Sequence, residues 1–127
     1  MREIAPLLAR LQRRLEPVDA APQLVHGDLS GNVLFADGMA PAIIDFSPYW
    51  RPSEYADAIV AVDGLLWYGA DAELVRSAWT GADFPQFLAR AAIFRLMALS
   101  HAAADGRPVL TGELASYEKV IALVEQY

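Results

Sequence analysis

Apolar residues recur at three-to-four spacing along most of this chain and crowd together only in two short runs near its middle. Ile4, Leu7, Leu8, Leu11 and Leu15 fall on one side of a predicted helix over residues 3–16, with arginines on the other side and Pro17 as its stop. A turn through Asp19 and Pro22 leads to an extended stretch at residues 23–25. Residues 26–32 are polar, contain two glycines and read as a loop. Val33-Leu34-Phe35 and Ala42-Ile43-Ile44 are β-rich, and Asp37-Gly38 between them predicts an antiparallel hairpin whose loop Pro41 lengthens. Pro48 and Pro52 punctuate a segment that reads as irregular.

The remainder, residues 53–127, reads as helical. One helix is predicted over residues 53–67. Asp71 caps a short one ending near Trp79. Asp83 stands as the N-cap of a long helix with Pro85 in its first turn and Gln86 at the capping-box position. The apolar side of that helix takes Phe87, Leu88, Ala91, Phe94, the stem of Arg95, Ala98 and Leu99, and Gly106 and Pro108 end it. Thr111 is read as the cap of a last helix that repeats Leu114, Tyr117, Val120, Ile121 and Val124 on one side. The pattern therefore predicts one domain, 1–127, that is mainly α with a single small antiparallel β-hairpin.

Composition narrows the chemistry. The 127 residues contain no cysteine, which removes disulfides, thiolate metal sites and cysteine nucleophiles. With only two histidines, zinc would have to rest on carboxylates. A formal charge of −6 argues against a nucleic-acid partner. No apolar run approaches the length of a membrane span, so no membrane is expected, and the start carries no apolar core followed by a cleavage site. A cytoplasmic location is the default expectation. An apolar share of 55% points to surface that some partner covers.

Three polar side chains carry the candidate chemistry. Asp28 and Asn32 flank one tight loop, and the predicted hairpin returns Asp45 beside it. Two carboxylates and an amide around one point suit phosphoryl transfer: one carboxylate takes the proton of an attacking hydroxyl, and the other oxygens hold Mg2+ against the phosphates. Asp63 lies in an apolar helical stretch, either toward a substrate cleft or on that helix's polar face.

The runs Val25-His26-Gly27-Asp28-Leu29-Ser30-Gly31-Asn32-Val33-Leu34-Phe35 and Ile44-Asp45-Phe46 resemble the aminoglycoside phosphotransferase and choline kinase family. The resemblance implies the C-terminal lobe of a protein-kinase-like fold, with a catalytic loop at 26–32 and a metal-binding segment at 44–46. It implies Asp28 as catalytic base, Asn32 and Asp45 as magnesium ligands, His26 as a brace of the loop and Asp57 as a tie from below. Ser30 and Trp50 are candidate substrate contacts. Mg2+ and ATP are the implied cofactors, and a small-molecule hydroxyl is the implied acceptor.

The chain departs from the family pattern twice. Three residues rather than four separate Asp28 from Asn32. Only 25 residues precede His26, they read as helical, and the sole lysine is Lys119 near the C-terminus, so the family's N-terminal ATP-binding lobe and its lysine are not represented. The expectation is a fragment of a longer kinase or a truncated product, inefficient alone, with a homodimer or a partner chain over the vacant face. The alternative is a non-catalytic, kinase-like remnant serving as a protein-interaction or dimerisation module.

Overall fold

The computed structural model describes residues 3–127. Five helices and four short strands follow one another as α1 (Ile4–Gln12), β1 (Pro22–His26), β2 (Val33–Leu34), β3 (Ala42–Ile43), β4 (Pro48–Pro52), α2 (Ser53–Trp67), α3 (Ala72–Ala78), α4 (Phe84–Ala104) and α5 (Thr111–Glu125). The domain is mainly helical, as its apolar periodicity requires. α4 is the central element and packs against α1, α2 and α5. Ile4, Leu7 and Leu11 of α1, Ile59 and Val62 of α2, and Leu88 and Leu96 of α4 close the core together with Val120 and Ile121 of α5. α4 is 21 residues long and holds an 18-residue window of mean hydropathy 1.3, long and apolar enough by length and composition to cross a membrane. Its contacts make it the core helix of this bundle instead.

The β structure departs from the single expected hairpin. That hairpin exists, shortened to Val33↔Ile43 and Leu34↔Ala42. A second two-stranded antiparallel sheet pairs β1 with β4, from Pro22↔Pro52 to His26↔Pro48. Four strands are thus paired, and the segment read as irregular is a strand. Its two prolines suggested a break, yet they sit at the ends of the ladder, in a sheet where each strand is an edge and a missing N–H is tolerated. Gly27 extends the ladder by donating its N–H to Ser47 O at 2.8 Å.

Helix ends also differ from the reading. α1 stops at Gln12 rather than near residue 16, because the next turns tighten to Arg14 N–H···O Leu11 and Leu15 N–H···O Gln12. The chain is then seized from outside. Gln86 Nε2 donates to Arg14 O at 2.8 Å, Gln86 Oε1 accepts from Glu16 N–H at 2.7 Å, and Arg90 Nη2 donates to Glu16 O at 2.8 Å. Gln86 is therefore an anchor for the exit of α1 and closes no capping box, and Asp83 precedes α4 without a side-chain cap bond. α5 begins at Thr111 itself, and Glu113 supplies the cap by accepting from Leu110 N–H at 3.0 Å. Asp71 caps α3 as expected, accepting from Leu74 N–H at 2.8 Å.

Gly27 has a steric reason to lack a side chain. A Cβ there would lie 2.3 Å from Cδ2 of Tyr49, whose ring fills that side of the ladder and meets Phe94 of α4 edge-on at 5.8 Å. Gly27→Ala is expected to destabilise the domain by roughly 1–3 kcal/mol through overpacking. Shortening the ring as well, with Tyr49→Ala, should make the added methyl nearly neutral against the Tyr49→Ala background. Urea unfolding of the four variants checks this, and an unchanged midpoint for Gly27→Ala alone would contradict it.

Candidate functional site

The loop after β1 is built around one turn. Asn32 N–H bonds to Leu29 O at 2.9 Å, closing a four-residue turn with Gly31 in its third position at a φ of 80°. A turn that places its third residue in the left-handed region favours glycine there. The Asn32 side chain then reaches back, with Nδ2 donating to Asp28 O at 2.7 Å. This commits the amide nitrogen and leaves Oδ1 open as an acceptor. Asp28 and Asn32 are thus fixed to one another within the loop.

His26 joins this loop to the segment carrying Asp45. Its Nδ1 accepts from Asp28 N–H at 3.0 Å, so the ring proton is on Nε2, which lies 3.2 Å from Ile44 O. The ring also meets Phe46 edge-on at 5.3 Å. Ile44 N–H bonds to Asn32 O at 2.9 Å, which sets the backbone of Asn32 beside the residue before Asp45. Asp45 has a φ of 49°, the one non-glycine residue with a positive φ among the described residues. Aspartate tolerates that region better than most residues, and such backbone is found where a side chain must be aimed.

The sequence reading missed the strongest interaction of the site. Arg95 of α4, read only for its aliphatic stem, donates Nε to Asp63 Oδ1 and Nη2 to Asp63 Oδ2, both at 2.7 Å. Its Nη2 also reaches Asp28 Oδ1 at 3.1 Å. Asp63 is fully buried, the Arg95 side chain is 12% exposed and that of Asp28 is 54% exposed. Burial pulls the Arg95 pKa down, but Asp63 and then Asp28 outweigh it and the net shift is upward. The guanidinium also lies 5.5 Å from the ring centre of Trp67 and 5.4 Å from that of Phe94. The signal available in the sequence was an aspartate in an apolar helix and an arginine on the apolar side of another; each needs a partner of opposite charge when buried.

The remaining candidates are placed as follows. Ser30 is half-buried in the turn, and its hydroxyl makes no hydrogen bond. Trp50 is exposed on β4 opposite Leu24. Asp57 makes no hydrogen bond to the loop. It lines a cavity of about 630 Å³ with Asp19, Glu54, Trp79, Asp83 and Phe84, and burial followed by the Glu54 carboxylate raises its pKa. No group of three or more His, Asp or Glu side chains converges as a metal cage among the described residues. Compared with family models, characterised proteins and solved structures, the chain finds no match.

Removing one partner from a buried ion pair leaves the other charge uncompensated. Arg95→Met is expected to cost about 3–5 kcal/mol of stability, whereas Asp63→Leu combined with Arg95→Met should recover most of that loss. Chemical denaturation of the two variants decides it: a double variant as unstable as the single one would show that the pair's charges are not what holds α2 to α4.

Proposed function

We propose that this chain is the catalytic lobe of an ATP- and Mg2+-dependent phosphotransferase acting on a small-molecule hydroxyl, with the protein-kinase-like architecture that its loop motifs suggest. The observation that carries the reading is the hydrogen-bonded ring linking Asp28, Asn32 and the Asp45 segment through His26. It joins the backbones of Asp28 and Asn32 to that of Ile44, the residue before Asp45, and this supports a site shared by the three side chains. Asp28 is the base: its Oδ1 is held by Arg95, and its Oδ2 is left to receive the acceptor's proton. The acceptor oxygen forms its bond to the γ-phosphorus as the bond from that phosphorus to the leaving ADP oxygen breaks.

Asn32 Oδ1 and the Asp45 carboxylate suit Mg2+, which prefers oxygen ligands, keeps several waters and needs few groups from the protein. When bound, the ion would offset charge on the phosphoryl oxygens. ATP fits this chain less completely. Lys119 is exposed on α5, and Arg51 Nη1 is turned back to Trp50 O at 2.7 Å, so neither is a fixed cation beside the loop. The adenine side needs a wall from another surface.

One feature of the surface supports such a covering. Phe35, Met39 and Ile43 on the hairpin, with Phe46 and Trp50 beyond it, are each more than half exposed. Monomers seldom leave contiguous apolar patches beyond a few hundred Å² uncovered. The occupant is an ATP-binding lobe, a second copy of the chain or a partner chain. The same observation favours the second reading, a non-catalytic module that uses this face only to bind protein. The cytoplasm, where ATP is available, is the proposed location.

Manganese separates the two readings. As a paramagnetic stand-in for Mg2+, Mn2+ should broaden backbone NMR signals of residues 28–32 and 44–46, and Asp45→Ala should abolish the effect. Broadening centred elsewhere would remove the assignment. With Mg-ATP the chain alone should transfer phosphate inefficiently, and Asp28→Asn should lower any transfer by roughly 10²–10⁴-fold while sparing Mn2+ binding. Transfer unaffected by Asp28→Asn would sink the catalytic reading.

A further inference from the structure

Beside Arg95, a cavity of about 200 Å³ opens between α4 and α5, with Trp67 at the end of α2. Trp67, Ala98, Leu99 and Ala102 form its apolar walls, and Arg95, Arg107, Glu113 and Tyr117 supply its polar groups. Arg107 is fixed at the rim by two local features. The end of α4 is closed by Arg107 N–H···O Ala102 at 3.0 Å, with Gly106 at a φ of 98°, the arrangement that ends helices with a left-handed glycine. Its Nη2 then donates to Glu113 Oε1 at 2.5 Å, while Glu113 Oε2 is held by Leu110 N–H at 3.0 Å.

The polar groups left over are uneven in kind. Both Glu113 oxygens are engaged. Arg95 uses Nε and Nη2 and leaves Nη1 without a partner; Arg107 uses Nη2 and leaves Nε and Nη1. Tyr117 is only 3% exposed as a residue and lines the cavity; its hydroxyl makes no hydrogen bond within the protein and is not among the buried atoms, so it reaches solvent. Burial pushes the Tyr117 pKa up to about 12, so the hydroxyl keeps its proton and can donate it. A hydroxyl free to donate, beside two guanidinium groups with free N–H, is a set of donors that an acceptor can engage in exchange for water.

We infer that this cavity binds the carboxylate end of the phosphoryl acceptor, making the substrate a compact hydroxy-carboxylate rather than a cationic amino alcohol. The inference rests on the proposed phosphotransferase reading for the word acceptor, but the binding site stands on the cavity itself. Arg95 links the two regions. The same guanidinium that holds Asp28 Oδ1 lines the cavity, so a molecule seated there lies one side chain from the base. Carboxylates match paired guanidinium donors in geometry as well as charge. The volume lies below the roughly 300–1,000 Å³ of pockets that enclose drug-sized ligands, so it suits only a compact acceptor. The apolar walls and the exposed indole of Trp67 suit a flat or short hydrocarbon body.

Three probes of one shape test this: 3-(hydroxymethyl)benzoate, 3-(hydroxymethyl)benzamide and 3-(hydroxymethyl)benzylamine. Titrations into the 127-residue chain without nucleotide or metal are followed by the Trp67 indole N–H signal. The benzoate should bind about tenfold or more tightly than the amide and the amine. Arg107→Gln should remove that preference, and Tyr117→Phe should weaken the benzoate alone. Equal binding of benzoate and benzamide, tighter binding of the amine, or an unaltered preference in both Arg107→Gln and Tyr117→Phe would overturn the inference. With Mg-ATP and a covering lobe or second copy present, phosphorylation of the amine in preference to the benzoate would overturn it while leaving phosphoryl transfer intact. Selective benzoate binding with no transfer to any alcohol would sustain the site and remove the phosphotransferase reading.

Discussion

Arg95 is the constraint on which the candidate site depends. A carboxylate as buried as Asp63 is tolerated only with its charge answered and its lone pairs bonded. Arg95 does both through two 2.7 Å bonds, and in doing so it is locked between α2 and α4. Its third bond goes to Asp28 on the loop after β1. The core of the helical bundle and the candidate base are therefore joined through one planar guanidinium. A lysine could not take its place, because a single ammonium lacks the fork that answers Asp63 in two directions and still reaches Asp28.

How much of this the sequence disclosed depends on the range of the interaction. Helices announced themselves because their apolar repeats are local: Leu7 with Leu11, Val120 with Ile121 and Val124. The hairpin was legible for the same reason, through Asp37-Gly38. The β1–β4 ladder was not, since its pairing joins residues more than twenty positions apart and its prolines resemble breakers. Gln86 was misread as a cap because its true partners, Arg14 and Glu16, lie some seventy residues earlier. Arg95 was read as a stem for the same cause: nothing local names Asp63 or Asp28 as its partner. Asp28, Asn32 and Asp45 stood out in the sequence by residue type and order, whereas the ring of bonds joining them needed coordinates.

The three-residue spacing between Asp28 and Asn32 has a physical account in that ring. With Gly31 in the left-handed region, Leu29–Asn32 closes as one turn, and the Asn32 amide needs no further residue to reach Asp28 O. Two hydrogen bonds of 2.9 Å and 2.7 Å fix the relative position of Asp28 and Asn32. Gly27 has a different duty, giving its side-chain space to Tyr49, so the two glycines of the loop serve sterics and backbone hand respectively.

The two halves of the site are held with unequal firmness, and this bears on how it would work. Asp28 is attached on three sides: to His26 through its N–H, to Asn32 through its carbonyl and to Arg95 through Oδ1. The Asp45 segment touches the loop through the backbone of Ile44, the His26 ring and the Gly27 N–H to Ser47 O bond, and on its N-terminal side the hairpin is a two-stranded sheet with largely exposed side chains. Two strands alone are marginal in water. The Asp28 half is therefore organised by the helical core, whereas the Asp45 half adjoins the less supported element. A surface laid over Phe35, Met39 and Ile43 would bury apolar area on the hairpin itself and so steady the strand that leads into Asp45. Covering that face and steadying the Asp45 segment would then be one event, which under the proposed phosphotransferase reading ties the nucleotide side to a partner and leaves the acceptor side to this chain.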